Sequence, residues 1–284
     1  MFAIIQKAYQ KPDHEKLGPI LQNVLKIPTY DAMRMARLGR GIIAEKLEKE
    51  KADALQASLT ENGFEVFTIP QEKVITIDKP LIVRRIEITE DHLGVVKGYT
   101  GKPEPVLWTN IYLVSAGEII QKEEQRLKYR KKKKKRLGGF KMALMAMVDP
   151  LSTMVILAKD SLKQKKEKEI IKIHTLSYTQ QVADIFCLSA SGEYLHIRLR
   201  SRDMYFDKIL GDRAVRDFRV NFLAVLAEIG RHAALAVISP ETETLIRAGI
   251  DSETDISNAF FGEEEEFTQY NRWLMQMLIL EKTK

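Results

Sequence analysis

The run Arg126–Arg136 reads R-L-K-Y-R-K-K-K-K-K-R, nine cations in eleven residues. No core accepts such a run, because each unpaired cation taken out of water costs several kcal/mol. Self-repulsion keeps it extended or frayed until a polyanion meets it. The chain must therefore build its cores on either side of this segment. Between Lys122 and Lys141 eleven basic residues stand against Glu123 and Glu124, a local charge of +9. The whole chain carries +6, so the remainder is at −3. The basic character belongs to one segment, which points to a local electrostatic device and away from a body built around a nucleic-acid groove.

The residues after the cations matter as much. Gly138-Gly139 is a hinge, and Phe140–Met147 is apolar except for Lys141, with Met142, Met145 and Met147. Asp149-Pro150 breaks this stretch, Leu151–Leu157 resumes it, and Lys163–Lys168 is charged again. Cations near an anionic leaflet contribute roughly 1 kcal/mol each, and buried apolar side chains add to that. Flexible methionines also suit an adaptable protein-binding face. The candidate surface for membrane or polyanion contact is thus Arg126, Lys128, Arg130, Lys131, Lys132, Lys133, Lys134, Lys135 and Arg136 with Phe140, Met142, Leu144 and Met145. A cation run neutralises nucleic-acid phosphates equally well, although Tyr129 is the one nearby aromatic for base stacking. A plain solvated loop, or a latch onto the acidic 251–266 region, remains the competing explanation.

The rest of the chain has the composition of a globular protein, 45% apolar and 30% charged over 284 residues, enough to build cores. The single cysteine, Cys187, excludes an intramolecular disulfide and fits a reducing, cytoplasmic compartment. It sits in the apolar run Ala183–Leu188 and reads as buried packing. The apolar start Met1–Ile5 is too short for a signal-peptide core, and no run of roughly 18 uncharged apolar residues predicts a transmembrane helix.

Residues 1–75 read as one α+β module. A strand covers 1–9, and a helix over 14–25 turns Leu17, Ile20, Leu21, Val24 and Leu25 to one side. Pro28 breaks the chain, and Thr29 caps a short helix, Tyr30–Leu38. Gly39 and Gly41 mark a helix-to-helix loop. Glu48–Asn62 is an amphipathic helix with Ala52, Leu55 and Leu59 inward and Asn62-Gly63 as its stop. Phe64–Ile69 is a strand, giving a β-α-α-α-β order. Tyr30-Asp31-Ala32-Met33, Lys51-Ala52-Asp53-Ala54-Leu55 and the stretch Leu59–Val66 resemble the C-terminal domain of the bacterial ribosomal stalk protein over about 50 residues. In that family basic residues on the helices contact translation factors, a role the resemblance would place on Arg34, Arg37 and Arg40. The family's lysine-and-glycine pattern is not reproduced, and the residue-level reading of these arginines is a solvated helix face.

Residues 79–231 read as a β module, interrupted by the charged insertion 121–168. Leu81–Thr89 and His92–Tyr99 are strands joined at Glu90-Asp91, and Val106–Ile120 is a long strand-like run. After the insertion come Glu169–Leu176, Val182–Leu188 and Tyr194–Arg200. The last alternates Leu195, Ile197 and Leu199 against His196, Arg198 and Arg200, which reads as a core face and a surface face. Ala214–Gly230 is a helix with Val215, Phe218, Phe222, Val225, Leu226 and Ile229 inward. This order of strands closed by one helix resembles a pleckstrin-homology-type barrel. The loops that bind phosphoinositides in that family hold only Lys97 and Lys102 here, so the resemblance does not imply the usual headgroup site. Residues 232–284 read as an acidic helical tail. Seven acids fall between Asp251 and Glu266, and Phe267, Tyr270, Trp273, Leu274, Met277 and Leu278 recur at helical spacing.

Catalytic motifs fail on context. Gly39-Arg40-Gly41-Ile42-Ile43-Ala44 lacks the preceding strand that a dinucleotide fingerprint needs. Gly98-Tyr99-Thr100-Gly101-Lys102 is too short for a phosphate loop, and Pro103 removes a donor. The five histidines, 14, 92, 174, 196 and 232, have no metal-ligand spacing, and His196 reads as a surface residue. Ser189 and Ser191 lack a nucleophile elbow, and Glu263–Glu266 reads as a solvated acid run. The fold class expected is α+β. The function expected is non-catalytic binding or scaffolding, with an anionic membrane surface or another protein as partner. A nucleic-acid or ribosome-associated protein is the competing class. No cofactor, metal or small-molecule substrate is indicated.

Overall fold

The computed structural model describes residues 1–9, 11, 13–98, 101–129, 170–189, 191–249, 251 and 253–282, without the side chains of 122–129, 170–176 and 282. The fold is α+β. Contacts divide it into two compact units, Met1–Gln121 with Thr179–Lys284, and Lys122–Tyr178. The first unit is built in successive parts along the chain.

Its N-terminal part runs β1 (Phe2–Gln6), α1 (His14–Leu25), α2 (Thr29–Leu38), β2 (Ile42–Leu47), α3 (Lys49–Glu61), β3 (Val66–Pro70). The strands form an antiparallel sheet in the order β2-β1-β3. The helices form where periodicity predicts them: α1 starts where Asp13 accepts from the amides of Glu15 and Lys16, and Ala52, Leu55 and Leu59 of α3 are buried, whereas Thr29, expected to cap α2, is its first residue, with Pro28 at the cap position and no side-chain cap bond. Gly63, at φ +84°, makes the turn after α3 that a side chain would resist. The Gly39–Gly41 turn leads to a strand, which corrects the expected helix-to-helix loop and adds a third strand to the module. Ile42, Ile43 and Ala44 are buried beside β1, and so short an apolar run carries no period by which to tell strand from loop. Ile4, Leu17, Leu21, Ala36, Leu55 and Leu59 pack the helical face of the sheet.

The next part begins with β4 (Leu81–Val83) and β5 (Arg85–Ile88), separated by Arg84 alone. β5, β6 (His92–Val96) and β7 (Pro103–Leu107) form an antiparallel meander. The second sheet contains β8 (Ile111–Tyr129), β9 (Ile170–Leu188), β10 (Tyr194–Arg200), the short β11 (Val237–Ile238) and β12 (Phe260–Phe261), and β4, in the order β11-β8-β9-β10-β4, with β12 also on β8. Because β4 runs parallel to β10 while β5 pairs with β6, one bent strand forms the corner between the two sheets. The helix α4 (Phe206–Leu210) and the longer α5 (Phe218–His232) come next. Phe222, Val225, Leu226 and Ile229 of α5 close a core with Val95, Val114, Ile185 and Ile197 from both sheets. The strand-rich unit with a covering helix is therefore present as two sheets sharing a corner. α5 starts four residues later than its apolar pattern suggests, and Val215 and Phe218, expected inward, are each 52% exposed.

The terminal region holds α6 (Pro240–Ala248) and α7 (Glu264–Lys282). The sequence suggested a tail; α7 is instead interior. Phe267 and Tyr270 are fully buried, and Trp273, Leu274 and Met275 nearly so. They share one core with Ala3, Ile5 and Ile42 of the first sheet and with Leu113, Val182 and Phe186 of the second. Burying each large apolar side chain stabilises by roughly 1.5–3 kcal/mol, so α7 joins the two sheets.

Candidate functional site

Arg126 and Lys128 lie on β8, and their side chains are not described. Arg130, Lys131, Lys132, Lys133, Lys134, Lys135, Arg136, Phe140, Met142, Leu144 and Met145 lie outside the described residues.

The structure brings together charged groups that the sequence reading assigned to solvent. β10 pairs antiparallel with β9 so that Arg198 stands opposite Asp184, and His196 opposite Phe186. The face read as surface is covered by α7, and His196 and Arg198 are 3% and 1% exposed. The alternation was correct as geometry, but both faces of β9 and β10 are covered, a situation more typical of parallel sheets. The clue was the run Val182–Leu188, apolar on both parities except at Asp184.

Asp184 accepts from Arg198 Nε at 2.6 Å and Arg198 Nη2 at 2.6 Å. It also accepts from Asn271 Nδ2 of α7 at 2.6 Å, and His196 Nε2 lies 2.8 Å away. His196 Nδ1 lies 2.8 Å from the Asp78 carbonyl, so the ring donates to both oxygens only when doubly protonated. Phe186 stacks on the ring at 4.3 Å. Burial works to raise the Asp184 carboxyl, yet the hydrogen bonds and charge of Arg198, with His196, hold it below the usual carboxylate range. Glu264 bonds Arg198 at 2.6 Å and Arg200 at 2.7 Å. A second node lies at the first sheet. Arg40 donates to Glu266 at 2.5 Å and to the Tyr9 hydroxyl at 2.9 Å, with Phe261 under its guanidinium. Arg272 bonds both carboxylate oxygens of Glu45.

These contacts correct two expectations. The Glu263–Glu266 run is not simply solvated: Glu264 reaches Arg198 and Arg200 of β10, Glu266 reaches Arg40 in the turn before β2, and Glu263 pairs with Arg37 at 3.5 Å. Arg40 is not on a solvated face but 4% exposed. Paired buried charges of this kind position elements. His196 and Asp184 have fully buried side chains and Arg198 is 1% exposed.

One groove, of about 490 Å³, is rich in cations. Arg202, Arg216 and Arg219 line it with Thr179, Gln181, Ser201, Asp217 and Phe218. Its floor is a hydrogen-bonded chain in which Ser201 donates to Gln181, and Gln181 to Glu118. Sequence reasoning missed it because Val215 and Phe218 fit the inward stripe of a helix.

The remaining candidates behave as packing or turn residues. Cys187 is buried, and burial, with Glu104 nearby, pushes its thiol up to about 12. Ser189 bonds Ser191 and the Glu193 amide in a turn. His232 stacks on Trp108 at 5.0 Å. Among the described residues no group of three His, Cys, Asp or Glu side chains converges to hold a metal, and no helix is long and apolar enough to cross a membrane. No family model, curated protein or solved structure matches this chain.

Proposed function

We propose that this chain is a non-catalytic binding or scaffold protein that attaches peripherally to anionic membranes through Arg126–Arg136 and Phe140–Met147. The observation that carries the reading is the adjacency of nine cations in eleven residues to a methionine-rich apolar stretch. Each half binds weakly, and together they give attachment that is stable and reversible. The α+β body, in which α7 ties the N-terminal sheet to the six-stranded one, serves as the holder.

Flotation with phosphatidylserine-containing and pure phosphatidylcholine vesicles at roughly 0.15 M salt tests this. The protein is expected to float with the anionic vesicles alone, and a variant lacking 126–147 to stay behind. Equal behaviour of the two proteins would remove the segment from the account. Polar replacement of Met142, Leu144 and Met145 separates this reading from RNA binding: it weakens membrane attachment and leaves an RNA-bound cation run unaffected.

A further inference from the structure

We infer that Glu241 is a proton-controlled latch on the lead-in to α7. Protonated, it leaves Arg40 to Glu266, and those two hold residues 260–262 in place. Ionised, it is a second acid competing for Arg40, and the lead-in loosens.

Glu241 lies in the first turn of α6, after the Ser239 cap, and is 5% exposed. The Tyr270 hydroxyl of α7 donates to its carboxyl, and a hydroxyl brings no counter-charge. The cation whose charge reaches Glu241 is Arg40. Every nitrogen of that guanidinium is already engaged. Nε and Nη2 donate to Glu266 at 3.2 and 2.5 Å, and Nη1 donates to the Tyr9 hydroxyl at 2.9 Å. Nη2 also donates to the Phe260 carbonyl at 3.4 Å, and Glu266 accepts from the Gly262 amide at 3.2 Å. Arg40 and Glu266 thus pin the lead-in to α7 from both ends. A carboxylate without its own cation is costly in such surroundings, and a neutral carboxylic acid is not.

The surrounding charges leave one acid too many. Arg40 and Glu266 are both buried and neutralise each other. Tyr9 packs on Tyr270 at 4.6 Å, and burial pushes its hydroxyl up to about 12, so it stays neutral. Further out, Lys11 faces Arg40, Glu266 and Asp255. On its other sides α6 meets the Val114 carbonyl and Ala116 amide of β8 and Leu223 of α5, none of them charged. Burial accordingly raises the Glu241 carboxyl to about 7 from an ordinary 4.5, against its own backbone hydrogen bond and Arg40. The closed arrangement keeps this proton more tightly than an open one, so the latch is shut below about 4.5 and loosens as pH rises to about 7. Helix α6 stays where it is, because the Ser239 amide donates to the Val114 carbonyl and the Ala116 amide to Thr242. Helix α7 stays as well, since Glu264 keeps Arg198 and Arg200. What yields is the segment that depends on Arg40.

The test is NMR of the full chain from about pH 5 to pH 8, in wild type, Glu241→Gln and Glu266→Gln, read at Arg40 Nε–H and at the Gly262 amide. In wild type the Arg40 signal is expected to shift with a midpoint of about 7. Exchange of the Gly262 amide, corrected for its intrinsic pH dependence, is expected to quicken roughly tenfold or more. Glu241→Gln keeps the shape and the acceptor for Tyr270, and should hold both readings constant. Glu266→Gln gives Arg40 to Glu241 alone, so the midpoint should fall. A flat Arg40 signal in wild type, or a shift that survives Glu241→Gln, overturns the latch. A midpoint unmoved by Glu266→Gln overturns the competition for Arg40. Gly262 exchange that rises in roughly 1 M urea as steeply as exchange in α3 reports unfolding of the whole body and overturns the local loosening.

Discussion

Arg198 and Arg216 are the same residue type in two opposite settings. Arg198 is 1% exposed, bonded to Asp184, Glu264 and Thr268. Arg216 lies on an exposed groove beside Phe218. Along β10 the side chain of Arg198 is 2% exposed and that of Arg200 22%, and Arg202, in the turn after the strand, is at the surface. The cations under α7 have their counter-charges supplied by the fold itself. At the start of α5, Arg216 is exposed and Arg219 pairs with Glu118 at 3.4 Å while keeping 44% of its side chain exposed. Arginine is thus structural where α7 covers the sheet, and solvent-exposed at the start of α5.

The sharpest way to break this contrast is the same truncation at both ends. Arg198→Ala should destabilise by about 3–5 kcal/mol, because it strands Asp184 and Glu264. Urea unfolding would read this as a lower midpoint at unchanged slope. An effect under about 1 kcal/mol would mean the cluster is hydrated and Arg198 is not structural. Next comes the packing of α7. Gly41 has φ +83°, and an added Cβ would lie 2.1 Å from Trp273 Cγ. Gly41→Ala should cost about 1–3 kcal/mol through strain and overpacking, seen as a lower thermal midpoint with loss of the buried tryptophan signal.

A third test uses pH. Burial, against the pull of its own backbone hydrogen bond and of Arg40, raises the Glu241 carboxyl to about 7 from an ordinary 4.5. The Tyr270 hydroxyl donates to it. The folded state then holds a proton that the unfolded chain has released, so stability falls as pH rises from about 4.5 to 7. Glu241→Gln keeps the acceptor for Tyr270 and should flatten that decline when midpoints are compared at pH 5 and pH 8. Asp184 and Glu264 act in the other direction. Held below their ordinary values of 3.8 and 4.5, they contribute stability that is lost as pH falls through their folded values. The smallest expected effect is Arg216→Ala, within about 0.5 kcal/mol of wild type, since its side chain lies on the rim of an open groove and outside the buried ion-pair network.

Much of the architecture was legible because it follows from local period and capping. Leu17 and Leu21 at helical spacing, Asn62-Gly63 closing α3, and the alternation of β10 all lie where the pattern puts them. What the pattern lacks is the identity of whatever covers a face. His196, Arg198 and Arg200 alternate as surface residues do, and only α7, contributed from more than sixty residues further along, makes that face interior. The acid run failed for the same reason: Glu264 and Glu266 find their arginines 66 and 226 residues away. Val215 failed in reverse. It fits a helical stripe, but Asp217 caps α5 after it and Asn221 holds it outside.

The position of α7 in the chain has a temporal consequence. A ribosome makes Arg40 first and Glu266 226 residues later, an interval on the order of ten to fifty seconds at about 5–20 residues per second. Arg198 and Asp184 emerge before Asn271 and Glu264 as well. Until then the first sheet and the second each present a bare apolar face and unmatched charge. Helix α7 acts as a keystone that emerges after both sheets, so the body gains this part of its stability abruptly, once α7 is made. Nascent chains halted before α7 would differ from the finished body by an exposed apolar face on each sheet, the kind of surface that chaperones and proteases recognise.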